Sequence, residues 1–420
     1  MNLFDIIAVL VVLAAIFGFL NRRFLKLDPT VGLMLIGLIS SLFLILLQGL
    51  FPTLGVVSSI REYVVNIDFN KALMEGMLGF LLFAGALHVD LDFFAQKKWT
   101  IASLATLGLL ISMVVVGFAS KVLFDLFGFE VSLLACLIFG ALISPTDPIA
   151  VMGTLKTLNA PPSLHAKIAG ESLFNDGVAV VVFTSLVTLL GASGGAHAGH
   201  GGGEISSGAL AMLFLQETGG GILLGLLAGY IAYRMMLSID DYSVEVTITL
   251  ALVMGCYGIA RFLHLSGPIA VVCAGIFIGN RGRALAMSES VVDYLEKFWE
   301  LIDEILNAIL FLLIGIEVLV IAFSLTSVVA GIVCIGIVLC ARFVSVLIPI
   351  SLMRRRTEFS PGVVRILTWA GLRGGISVAL VLSLPPIPEK PLLVTCTYVV
   401  VLFSIIVQGL TIRRVLARFI

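Results

Sequence analysis

Charge is scarce in this sequence. Only 12% of its 420 residues are Asp, Glu, Lys or Arg, against 60% hydrophobic, and a soluble domain carries about 25% charged residues. That excludes an ordinary water-soluble enzyme. It leaves a chain whose length is almost used up by apolar spans of about 20 residues. Neither sign is in surplus: the net charge is −1, and no basic stretch is available to hold nucleic acid. The six cysteines (Cys136, Cys256, Cys273, Cys334, Cys340, Cys396) sit in apolar segments at spacings that suit neither a metal site nor a disulfide framework. They read as small core residues. A His-Glu-x-x-His metalloprotease helix is missing. A protease pair of Asp147 and Asp176 is disfavoured, because Asp147 stands beside two prolines and reads better as a compensator of a helix end. A leader peptide is not indicated. The first apolar run, Ile6 to Leu20, follows Asp5 in place of a basic region, and Arg22, Arg23 and Lys26 come after it.

What the chain has is apolar segments, at about 4–20, 30–50, 69–88, 99–124, 131–158, 164–190, 209–235, 243–264, 266–280, 301–323, 325–351, 361–384 and 391–412. The expected fold is an all-α polytopic membrane protein of about 13 transmembrane helices, with 285–300 as an amphipathic connector. With the N-terminus outside, eighteen of the 25 Lys and Arg fall on the inner side and five on the outer, while Arg342 and Arg373 stay within spans. That asymmetry predicts a cytoplasmic C-terminus. The longest loop, Gly191 to Gly208, then lies outside; it is Gly-rich, and its His197 and His200 lack further ligands and read as part of a linker.

One stretch stands out against this background. Gly170-Glu171-Ser172-Leu173-Phe174-Asn175-Asp176-Gly177 opens the sixth apolar segment. Two carboxylates and an amide in hydrocarbon are costly and mark a functional site by default. On a helix, Glu171 and Asn175 share one face and Ser172 and Asp176 the adjacent one. The result is a hard, oxygen-rich site suited to a small alkali cation or a proton.

Two segments are broken. Ile143-Ser144-Pro145-Thr146-Asp147-Pro148-Ile149 interrupts the fifth, since each proline removes a backbone donor and obstructs a carbonyl. Gly371-Leu372-Arg373-Gly374-Gly375 interrupts the twelfth with flexibility. Irregular backbone at membrane depth survives only when it is buried in protein or lines a cavity. The breaks occupy corresponding positions in two six-helix halves of opposite orientation, about 4–190 and 243–412, joined by a linking span at about 209–235. This is the pattern of an inverted-repeat secondary transporter with its site at the crossed, discontinuous helices. The two halves share pattern only, without clear identity. A broken helix exposes partial charges at its new ends. Asp147 suits a positive N-terminal end and Arg373 a negative C-terminal one, while Thr146 offers oxygen to a cation. A buried guanidinium needs an acid. Glu171 is the expected partner of Arg373, which leaves Asp176 free to hold either a proton or a cation.

These motifs resemble a known family. Ser144-Pro145-Thr146-Asp147-Pro148, Gly170-Glu171-Ser172-Leu173-Phe174-Asn175-Asp176, Gly371-Leu372-Arg373-Gly374-Gly375 and Val407-Gln408-Gly409-Leu410-Thr411 look, in order and spacing over essentially the whole chain, like the NhaP/NHE-type sodium/proton antiporters of the monovalent cation:proton antiporter superfamily. The resemblance implies a homodimer in a bacterial inner membrane, serving pH homeostasis, with a dimerisation domain and a mobile core. By the same analogy the apolar first and seventh spans are interface candidates. Asp176 is implied as the shared carrier of Na+ and H+, with Ser172 and Thr146 as sodium ligands, Asn175 and Asp147 nearby, and Glu171–Arg373 as the structural ion pair. No cofactor is implied. The Asn175-Asp176 pair is typical of the electroneutral branch, because Asn175 cannot carry a proton.

Two departures from the family pattern are visible. The third span has Phe83-Ala84-Gly85 where some relatives carry an acid, and the sequence stops at Ile420 without the cytoplasmic regulatory tail of eukaryotic relatives. Potassium/proton exchange on the same fold is the alternative reading, since selectivity rests on geometry. The roles of Asp303, Glu304, Asn307 and Glu317 stay open: Asp303 and Asn307 share a face and suit a cytoplasmic funnel, and Glu317 suits either that cavity or Arg342.

Overall fold

A computed structural model describes residues 3–50, 69–89, 91–158, 161–193, 207–321, 323–354 and 362–418. The described part is helical almost throughout, as its composition demands. Nine helices among the described residues are long and apolar enough to cross a bilayer, from Asp5–Leu25 to Lys390–Leu416. Ala72–Leu87 and Leu133–Ile143 are shorter apolar helices. Each apolar segment read from the sequence corresponds to a helix or a helix pair. His197, His200 and the Arg355-Arg356 pair lie outside the described residues.

One boundary differs from expectation. Residues 285–300 and 301–323 are not a connector followed by a span; a single helix, Glu289–Glu317, runs through both. Its buried residues Val291, Leu295, Trp299, Asn307 and Leu310 keep one helical stripe across the supposed junction, so nothing in the periodicity ends the helix. Helix starts elsewhere follow local chemistry. Ser132 caps Leu133–Ile143 by accepting from the N–H of Ala135 at 3.2 Å. Asp241 caps Tyr242–Phe262 by accepting from the N–H groups of Ser243 and Val244. The Ser243 hydroxyl, with those two N–H groups, holds the Asp241 carboxyl below its ordinary range.

Burial divides between two main apolar cores. One gathers Leu133–Ile143, the C-terminal half of Glu289–Glu317, and parts of Leu325–Met353, Gly375–Leu382 and Lys390–Phe403. The other gathers Phe83, Met236, Val253, Ala270, Leu295 and Trp299. Trp299 anchors it, with its ring centroid 4.7 Å from that of Phe83 and its indole N–H donating to the Thr249 hydroxyl at 3.0 Å. The helix Glu289–Glu317 contributes to both. Outward faces are apolar in turn: Val12, Phe19, Leu46, Leu223, Leu227 and Ile332 are exposed, as hydrocarbon solvent requires. All six cysteines are free.

Candidate functional site: two crossed helix breaks around a buried carboxylate

The fifth and twelfth segments are interrupted where the sequence places the breaks. Leu133–Ile143 stops at Ser144, and Ile149–Thr157 restarts after Pro148. Val363–Trp369 stops at Ala370, and Gly375–Leu382 restarts after Gly374. The two irregular stretches meet and pair as a single antiparallel bridge, with the Asp147 N–H donating to the Leu372 carbonyl at 2.8 Å. Backbone freed by one break is thereby satisfied in part by the other.

Side chains complete the accounting. The Asp147 carboxylate accepts the Ile149 N–H at 3.0 Å and so caps the second half-helix of its own segment. Its other oxygen lies against Gly374, where a Cβ would sit 2.0 Å from Asp147 Oδ2 and 2.7 Å from its Cβ. One acid therefore serves the N-terminal ends of two half-helices, where partial positive charge gathers. Arg373 donates from Nη1 to the carbonyls of Ser144 and Pro145, the C-terminal end of Leu133–Ile143. Its own N–H donates to the Ser404 hydroxyl at 2.8 Å. Ser404 in turn donates to Gln408 Oε1 at 2.7 Å, and Gln408 Nε2 donates to the Trp369 carbonyl at 3.1 Å. Thr411 accepts the Trp369 indole N–H at 3.0 Å. The Val407–Thr411 motif thus holds the end of Val363–Trp369. Ser404–Gln408 is a π-helical turn, which brings Ser404 and Gln408 together on the same break.

The expected pairing of Glu171 with Arg373 is corrected. Glu171 pairs with Nη1 of Arg342, both side chains being buried. Arg342 also donates from Nε at 3.2 Å and Nη2 at 3.0 Å to the Leu367 carbonyl, near the end of Val363–Trp369. Arg373 turns one end of its guanidinium to the freed carbonyls while its Nη2 is buried without a hydrogen-bond partner among the described residues, and the Glu171 charge is felt there. Sequence reasoning offered Arg342 to Glu317 only, and passed over Ser404 and Ser112, whose hydroxyl meets that of Ser144 at 2.9 Å. A signal existed for Arg342 alone: a single guanidinium inside the otherwise apolar Leu325–Met353 demands a partner.

The long helix Pro162–Ser193 carries the polar stretch to this crossing. Ser172 donates its hydroxyl to the Thr146 carbonyl, which ties that helix to the first break. Thr146, Ser172, Asn175 and Asp176 are all buried, Asp176 at 8% exposure. The Asp147 charge acts on Asp176. Asp176 makes no ion pair among the described residues, and Asn175 Oδ1 is buried without a hydrogen-bond partner. The structure therefore brings Asp176, Asn175, Ser172, Thr146 and Asp147 into one region, pairs Glu171 with Arg342 beside them, and leaves the Asp176 carboxylate without an ion pair among the described residues.

The glycine at 374 yields a prediction. Asp147 is fixed by its bridge and its cap, so an added methyl has nowhere to go. Gly374→Ala is expected to cost about 1–3 kcal/mol by overpacking, read as a lower melting temperature of the detergent-solubilised protein. Gly336→Ala, with nothing within 4 Å of the added atom, should melt unchanged.

Comparison with known proteins bears on the whole chain. The profile of the family described as "Sodium/hydrogen exchanger, transmembrane" matches residues 9–418. The chain is 47% identical, over 99% of its length and 96% of the relative's, to the Na(+)/H(+) antiporter NhaP of Pseudomonas aeruginosa. It is 34% identical, over 94% of its length and 93% of the relative's, to the Na(+)/H(+) antiporter NhaH of Halobacillus aidingensis. Its fold is similar to that of the sodium proton antiporter MjNhaP1 of Methanocaldococcus jannaschii, solved at pH 8, with a TM-score of 0.76 at 19% identity over 100% of this chain and 99% of that one.

Proposed function

The chain belongs to the sodium/hydrogen exchanger family, and we propose that it exchanges sodium for protons across a membrane, with Asp176 holding one or the other. The observation that carries this reading is the isolation of Asp176. Glu171 has Arg342, the half-helix ends have Asp147, Arg342 and Arg373, and the remaining carboxylate at the crossing has no ion-pair partner among the described residues. A cation bound there takes further oxygens from Ser172 and Thr146, whose contact fixes them beside the long helix. Asn175 brings no second titratable group, which favours electroneutral 1:1 exchange.

Alternating access supplies the transport step. The breaks, the long helix and Leu325–Met353 move as a unit against the helices packed around Trp299, and the two breaks belong to inverted repeats that divide the chain at about 190 and 243. The distribution of Lys and Arg favours a cytoplasmic C-terminus in a bacterial inner membrane. The family resemblance favours a homodimer.

The test is proton flux in vesicles holding a preset pH gradient, with sodium, lithium and potassium added in turn and with the membrane potential free or clamped. Sodium is expected to collapse the gradient at a rate that clamping leaves unchanged. A rate that follows the potential removes electroneutrality, and a gradient indifferent to all three cations removes the exchange itself.

A further inference from the structure

The helix Glu289–Glu317 places one polar residue where an aliphatic one would be cheaper. Its face toward the crossing is fixed at two points. The Leu310 side chain lies against Gly375 of the second break, where an added Cβ would sit 2.5 Å from Leu310 Cδ1. About two turns earlier, the Asp303 charge acts on Asp147 of the first break. Residues 303, 307 and 310 follow at spacings of four and three, so they form one stripe. Asn307 therefore lies between a residue that touches one break and a residue felt by the other. It is 3% exposed. Asp303 stands beside it, within reach of the Asn307 amide N–H, while the amide oxygen has no hydrogen-bond partner among the described residues. Leaving such a group unsatisfied is unfavourable, and the neighbouring Leu306, Ile309, Leu310 and Phe311 show that apolar side chains are accommodated on this helix. Across the crossing, Asn175 Oδ1 is buried and unpaired in the same way.

We propose that Asn307 is a ligand for the transported alkali cation, its amide oxygen completing from Glu289–Glu317 the oxygen set that Asp176 opens from Pro162–Ser193. This rests on the reading of Asp176 as carrier. A neutral amide oxygen suits a monovalent cation: it removes water from the ion without adding a charge that would hold the ion against release. Because Glu289–Glu317 also packs into the core around Trp299, its ligand stays behind when Asp176 moves. The contact is made with one face of the membrane accessible and lost with the other.

The experiment measures the sodium KM and the maximal rate in right-side-out and inside-out vesicles for wild type, Asn307→Leu, Asn307→Ser and Asp176→Asn. Asn307→Leu is expected to raise the sodium KM about tenfold on one face only, as loss of one oxygen ligand implies, with the maximal rate kept within about twofold. Asn307→Ser, which keeps an oxygen, should recover most of that shift. The Leu variant should melt close to wild type, since it removes an unsatisfied amide oxygen along with the contact to Asp303; if it fails to fold, Asn307→Ala carries the same comparison. An unchanged KM, an equal rise on both faces, or a fall in maximal rate at constant KM overturns the assignment. Exchange absent in Asp176→Asn alongside a normal KM in Asn307→Leu removes this inference and leaves the carrier standing. Normal exchange in Asp176→Asn removes both.

Discussion

Replacement of Asp176 by Asn is expected to reduce cation-driven proton flux to that of protein-free vesicles while leaving a folded protein. The change is isosteric, so packing around a residue that is 8% exposed is preserved. What disappears is the charge and the titration. With Glu171 committed to Arg342 and Asp147 to the Ile149 N–H, no second carboxylate at the crossing is free to take over. Stability should hold or rise, because an ionised carboxylate without a partner is unfavourable in a low-dielectric interior. Melting curves and flux measured on one preparation separate the two effects, and a mutant that folds and still exchanges rules Asp176 out. Wild type adds a second signature. If proton and sodium compete for one oxygen pair, the apparent sodium KM rises about tenfold for each pH unit below the carboxylate's own titration, with the maximal rate unchanged. Two independent sites would leave the KM flat.

Much of this arrangement was legible because it is written locally. Scarcity of charge and runs of apolar residues report helices in hydrocarbon. Two prolines within four residues report a break, since the backbone cannot stay helical there, and Pro145 and Pro148 flank the irregular stretch the structure shows. The polar run from Glu171 to Asp176 was conspicuous for its cost. What was not legible is what each polar group faces. Glu171 and Arg342 are 171 positions apart, and no local pattern distinguishes Arg342 from Arg373 as the partner. A buried guanidinium does not require a carboxylate of its own. A guanidinium has five N–H donors, and a broken helix supplies carbonyls without charge. Arg373 uses the carbonyls of Ser144 and Pro145, a solution visible only once the two breaks are seen to cross. The same limit applies to Gln408 and Thr411. Their motif was recognisable, but their work on Trp369 depends on how Lys390–Leu416 lies against the second break. The continuous helix Glu289–Glu317 shows the converse: the amphipathic pattern of 285–300 suggests a separate connector, although the buried stripe runs on.

Removal of one partner from the Glu171–Arg342 pair is expected to be the most damaging single change to stability, at about 3–5 kcal/mol, because it strands a charge in a place without water. Arg342→Met should be worse than Glu171→Gln. It leaves a carboxylate stranded and also takes two hydrogen bonds from the Leu367 carbonyl, uncapping Val363–Trp369. Glu171→Gln keeps those bonds and offers an amide oxygen to the guanidinium. The double variant Glu171→Leu/Arg342→Met should recover most of the loss, since apolar side chains replace both charges together; the remaining deficit, about 1 kcal/mol, belongs to the uncapped carbonyl. A double-mutant cycle by melting temperature measures the coupling directly. The same cycle on Glu171 and Arg373 is expected to give a smaller coupling, because Arg373 is bonded to the carbonyls of Ser144 and Pro145. Equal couplings in the two cycles would mean that Glu171 is shared between both arginines. A larger coupling to Arg373 would restore the pairing that the sequence first suggested. Transport adds a separate measurement. The double variant, if it folds, leaves Asp176 and its oxygen neighbours in place but removes two compensating charges from beside the breaks. Sodium-driven proton flux that survives in it assigns the pair to holding the crossing together, and flux lost from a stably folded double variant assigns it to setting the field in which Asp176 exchanges its ions.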